Sequence, residues 1–204
     1  MVVIDNEPLT WNVAKIEIDN DTEKGKQILN LLTKLEIIGV IATKKNITSY
    51  IAKHNPKLLF FNGHDDESRI AGYENEIIIE VSQNVEQLVG KIIYVRSCAV
   101  AVNLGKASIQ KGALAFIGYT KKYTLCTSSA SQSRPMQDRV AQLFLLPSNL
   151  IPIALIKGNT AKEAYIKSKK SMIRRIRFML STNHLKGKKM LFLICGQIEN
   201  IRFC

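Results

Sequence analysis

The chain has 204 residues, a length that suits one compact domain spanning residues 1–204. Its 46% apolar and 23% charged residues are those of a folded globular chain and suggest neither a fibrous repeat nor overall disorder. A net charge of +12 admits an anionic partner, but the densest basic groups, Lys167-Ser168-Lys169-Lys170 with Arg174, Arg175 and Arg177, and Lys186 with Lys188 and Lys189, carry little aromatic interleaving and no nucleic-acid motif. A solvated helix face and a nucleic-acid surface both fit them, and the first is expected.

In chain order, Trp11–Ile18 alternates apolar and polar residues and predicts a strand, and Asp21–Leu35 repeats its apolar residues at helical spacing. Glu36–Ile41 is short and β-branched, Asn46–Lys53 reads as a capped helix, and Lys57–Phe61 is a continuous apolar run ending at Asn62-Gly63. Such runs suit strands buried on both faces. Glu76–Val81 predicts a hairpin strand, Asn84–Val89 a short helix, Lys91–Val95 another buried strand, Ala99–Lys111 a helix, and Ala113–Ile117 a strand closed by Gly118. After a polar, Ser-rich stretch, Thr120–Arg139, come helices over Asp138–Phe144 and Thr160–Leu180 and a last strand over Lys189–Cys195. Strands alternating with helices predict an α/β fold with a mostly parallel sheet covered on both faces.

Apolar runs such as Met190–Cys195 are far shorter than the roughly 18 residues a membrane helix needs, and Met1–Glu7 lacks the basic start and apolar core of a secretory signal. A cytoplasmic chain with no membrane partner is expected. Cys98, Cys126, Cys195 and Cys204 form no C-x-x-C pair and His54, His64 and His184 no H-x-x-x-H pair, so neither metal nor cofactor is expected. No glycine-rich phosphate-binding motif occurs.

Ligand crevices of open α/β sheets lie beyond the carboxyl ends of the strands. His64 follows the strand Lys57–Phe61 and Cys98 the strand Lys91–Val95; if those strands are neighbours, imidazole and thiol face one crevice. A helix starting at Ala99 would aim its first amides at the sulfur and favour thiolate, and His64 could move the proton of an acyl transfer. A packed strand-end cysteine and an ordinary loop histidine fit the same positions.

Leu58-Leu59-Phe60-Phe61-Asn62-Gly63-His64, Ile92-Ile93-Tyr94-Val95-Arg96-Ser97-Cys98, Leu104-Gly105, Gly112-Ala113 and Ala115-Phe116-Ile117-Gly118-Tyr119 resemble the core of the caspase-like cysteine peptidases, the group of caspases, gingipains, clostripain-like enzymes and bacterial CHAT domains. The resemblance extends over about residues 55–200, through Asp138–Phe144, Ser148-Asn149, Ala154–Gly158 and Leu191–Gly196. It implies a three-layer sandwich around a mostly parallel six-stranded sheet, and an endopeptidase acting on a protein or peptide through a thioester, with His64 and Cys98 as its dyad. Asp65 stands where the family usually has the glycine whose amide helps hold the oxyanion, and Arg96-Ser97-Cys98-Ala99-Val100 is not the caspase signature. A module that binds partners without cutting is therefore the alternative.

Arg96 falls where the family often lines the pocket for the residue before the cut, which would select an acidic side chain; a structural pairing with Asp65-Asp66-Glu67 is the other reading. Asp138 could instead select Lys or Arg, the preference expected here, or simply cap a helix. Thr120–Arg139 is long for an unstructured connection and is expected to be mobile and to gate the site.

Overall fold

The computed structural model describes residues 2–5, 36–63, 66–124, 126–128, 137–181 and 195–204, an α/β fold around a mixed, mostly parallel sheet. Its strands are β1 (Val2–Asp5), β2 (Glu36–Ile38), β3 (Leu58–Asn62), β4 (Arg69–Ala71), β5 (Ile77–Glu80), β6 (Ile92–Arg96), β7 (Ala115–Tyr119) and β8 (Ile201–Phe203). Its helices are α1 (Lys44–His54), α2 (Leu104–Lys111), α3 (Arg139–Ile156) and α4 (Ala161–Ser181). The expected strand Trp11–Ile18 and helix Asp21–Leu35 lie outside the described residues.

β3, β6, β7 and β8 form the body of the sheet. β3 and β6 run parallel with Asn62 opposite Arg96, β6 and β7 run parallel with Tyr94 opposite Ile117, and β8 is antiparallel to β7 with Arg202 opposite Gly118. β1 lies parallel to β3 on its other side, Val3 opposite Phe60, and β2 follows β1. All five residues of β3 and all five of β7 are buried, as apolar runs without alternation require.

Successive residues of these strands serve two cores. Leu59, Phe61, Ile93, Val95 and Phe116 pack with Ile47 and Ile51 of α1 and Leu104 of α2; Phe60, Tyr94, Ile117 and Tyr119 pack with Ile151 and Ala154 of α3 and Ala164 and Met172 of α4. Helices thus cover both faces.

α1 starts where Thr43 Oγ1 accepts from Asn46 N at 3.3 Å and stops at Asn55 in the left-handed region (φ 38°). β5 forms the expected hairpin, paired antiparallel with β4, and a 3-10 turn over Val85–Leu88 takes the place of the expected short helix.

The structure corrects two expectations, the start of one helix and the end of another. The helix read from Ala99 begins only at Leu104. Residues 189–194 of the expected strand Lys189–Cys195 lie outside the described residues; Cys195 opens a helical stretch, residues 195–200, that leads into β8. The helix read as Asp138–Phe144 continues to Ile156 through Pro147 and Pro152, making α3 as long and apolar as a membrane-crossing helix. Here most of it is buried against the sheet and α4.

Proline has no N–H to give the carbonyl four residues earlier. Pro152 therefore leaves the carbonyl of Ser148 without its helical donor, and the Tyr94 hydroxyl donates to it at 3.2 Å. Burial pushes the Tyr94 phenol well above its ordinary pKa, so it stays protonated as a donor.

Candidate active site

Cys98 lies two residues beyond β6 and is partly exposed. The turn that follows is set by the end of β7. Ala99 N donates to Lys121 O at 3.0 Å, Ala101 N donates to Tyr119 O at 2.9 Å, and Ala99 takes a left-handed backbone (φ 53°). That conformation is strained for a residue with a Cβ. Gly118 makes the close approach possible, since a Cβ there would stand 2.9 Å from Phe116 and 3.1 Å from Val100.

Because α2 starts at Leu104, no first-turn amides cap the Cys98 sulfur, and the expected helix-dipole activation of the thiol does not apply.

His64 and Asp65 lie outside the described residues. Their flanks are placed. Asn62 ends β3 beside Arg96, and the Glu67 carbonyl accepts from Asn103 N (3.2 Å) and Leu104 N (2.9 Å) at the start of α2. Asn103 Nδ2 also reaches the Glu67 carboxylate (3.3 Å) and Ser68 Oγ (3.2 Å). The segments before and after residue 64 are therefore tied to the segments before and after Cys98.

Arg96 is 2% exposed. Its Nε donates to Asn62 Oδ1 at 2.7 Å, its Nη1 donates to Asn149 Oδ1 and Ser148 Oγ, and the guanidinium lies 5.3 Å from the centre of the Phe60 ring. All of these partners are neutral. The acid pairing considered for Arg96 is not made among the described residues: Asp66 caps Ser68 and Arg69 and pairs with the Arg69 guanidinium, while Glu67 holds Asn103.

Two donors of this cluster, Arg96 Nη2 and Asn149 Nδ2, are buried without a partner among the described residues. A buried charge normally has a counter-charge, and a buried donor an acceptor. Ser148 and Asn149 come from the helix that the sequence reading ended at Phe144, and so their part in the cluster was missed.

Asp138 is 3% exposed and caps α3. Oδ1 accepts from Val140 N (2.8 Å) and Ala141 N (3.1 Å), and Oδ2 accepts from Ser128 N (2.7 Å). Both oxygens are thus engaged by backbone amides.

Of the expected gating loop, residues 125 and 129–136 lie outside the described residues. The described parts are held: Gln197 donates to Thr124 O, the Tyr123 ring meets that of Tyr119 at 4.9 Å, and the Tyr123 hydroxyl lies 3.2 Å from Ser148 Oγ. Among the described residues no three His, Cys, Asp or Glu side chains group as a metal site.

Comparison of the chain with protein-family models, curated proteins and solved structures finds no match in any of the three.

Proposed function

We propose that the chain is a caspase-like cysteine endopeptidase with Cys98 as nucleophile and His64 as general acid and base. The observation that carries the reading is the parallel register of β3 and β6: Asn62 faces Arg96, and His64 and Cys98 each follow two residues later in sequence. Both chain segments leave the sheet at its carboxyl end, side by side, where α/β enzymes keep their crevices. In this reading β1 and β2 complete a mostly parallel six-stranded sheet inside a three-layer sandwich.

In the reaction the Cys98 thiolate adds to the scissile carbonyl carbon, and the oxyanion collapses to a thioester as His64 gives its proton to the leaving amine. Water, losing a proton to His64, then cleaves the thioester and releases Cys98. The Cys98 backbone N–H makes no hydrogen bond among the described residues and is available to the oxyanion, while that of Ala99 is held by Lys121.

For the residue before the cut, the geometry favours acid over base. Asp138 has both carboxylate oxygens taken, whereas Arg96 has a buried nitrogen that a substrate carboxylate would satisfy.

The late start of α2 favours a second reading, a caspase-like module that binds without cutting, because the thiol lacks helix-terminal activation. Cleavage of a peptide library, run beside iodoacetamide labelling of Cys98, separates the two. Hydrolysis lost in Cys98→Ala supports the peptidase; no hydrolysis, with labelling no faster than that of an unfolded peptide, supports the binding module.

A further inference from the structure

We infer that the outer face of α4 docks a helix of another protein, one that carries acidic residues beside an apolar stripe repeating every seven residues. The inner face of α4, Ala161, Ala164, Ser168 and Met172, is buried. On the outer face Ile166 and Ile173 are each 37% exposed and Leu180 is 55% exposed. These three are seven residues apart, so they form a stripe about 21 Å long that drifts about 20° around the helix per heptad. Isolated surface leucines need no explanation, but apolar residues recurring at one heptad position along an exposed helix form a stripe that a second helix can cover.

The charges beside this stripe are of one sign. Lys167, Lys170, Arg174 and Arg177 are exposed and three or four residues apart, so neighbours on the helix surface repel. None of the four makes an ion pair with a carboxylate among the described residues. The one acid of the helix, Glu163, is engaged at its start, where its Oε2 accepts from Thr160 N (2.8 Å) and Thr160 Oγ1 (2.9 Å). Acidic residues flanking the partner's stripe would relieve that repulsion across the interface.

Other anionic surfaces use less of this face. Phosphates engage the cations and gain nothing from Ile166, Ile173 and Leu180. An anionic bilayer takes up exposed apolar side chains but imposes no seven-residue repeat.

The test uses the full chain with two matched helical peptides, both carrying Leu at the a and d heptad positions, one with Glu and one with Lys at e and g. Phosphatidylserine vesicles and a short duplex DNA serve as competing probes. The Glu peptide is expected to bind and the Lys peptide not to. Binding should weaken about tenfold both in the Lys170→Glu, Arg174→Glu, Arg177→Glu variant and in the Ile173→Ser, Leu180→Ser variant, each shown folded by circular dichroism. Failure of the Glu peptide to bind, or equal binding by both variants and wild type, overturns the proposal. So does tighter capture of DNA or vesicles that is indifferent to the Ile173 and Leu180 substitutions.

Discussion

Arg96 donates from Nε to the side-chain oxygen of Asn62, 2.7 Å away, between the two residues that the β3–β6 register sets opposite each other. The bond locks the ends of the two strands from which the His64 and Cys98 segments depart. With Nη1 on Asn149, the same guanidinium joins α3 to those ends.

Among the described residues that cluster contains a buried cation and no anion, so Asn149→Asp should stabilise the fold, raising the melting temperature above wild type. Under the proposed acidic preference it should also weaken cleavage after Asp and Glu, because the new carboxylate would neutralise the Arg96 guanidinium. A lower melting temperature, with an unchanged library profile, would show that Arg96 needs no counter-charge.

Cys98→Ala and His64→Ala should each reduce peptide hydrolysis by roughly a thousandfold or more, the scale on which nucleophile and base substitutions act. Cys126→Ala and Cys195→Ala should retain near wild-type turnover. Activity surviving in purified Cys98→Ala refutes the assignment of the nucleophile.

Gly118→Val should impair both stability and turnover, since its side chain would enter the space of Phe116 and Val100 and lift the Cys98 turn from β7. Overpacking of this kind costs about 1–3 kcal/mol. Urea denaturation and steady-state kinetics report the two effects. A variant with wild-type turnover would show that the turn does not depend on this contact.

Backbone and hydroxyl hydrogen bonds from Thr160 favour the ionised form of Glu163 and lower its pKa. A carboxyl whose folded pKa lies below its unfolded value stabilises fully above the unfolded value, and the stabilisation disappears as pH falls through the folded one. Wild type should therefore be more stable than Glu163→Gln at neutral pH, and the difference should close on acidification. Parallel stability curves for the two proteins, obtained by chemical denaturation across pH, would contradict the capping role.

The strands that carry the site were legible because burial on both faces demands unbroken apolar runs, and Leu58–Phe61 and Ile92–Val95 have them. Their partnership follows from sequence order and was readable as far as neighbourhood, while the two-residue offset shared by His64 and Cys98 needed the observed register. Ala99-Val100-Ala101-Val102 looks helical by composition, but hydrogen bonds from Ala99 and Ala101 to Lys121 and Tyr119 hold it as a turn, a long-range effect that local preference does not carry. Asn149 was hidden for a related reason. Pro147 and Pro152 read as helix breakers, and only Tyr94, distant in sequence, restores one of the lost bonds.

The two prolines of α3 also make the helix depend on the sheet. An isolated segment with Pro147 and Pro152 lacks two rungs of its own ladder and has poor helicity by itself. The Tyr94 hydroxyl that takes over the Ser148 carbonyl belongs to the central strand β6, so this helix completes its hydrogen bonding only against that strand. During synthesis Ser148 and Asn149, the partners of Arg96 on α3, thus emerge after Asn62 and β6, and the Arg96 cluster is complete only once they have been made.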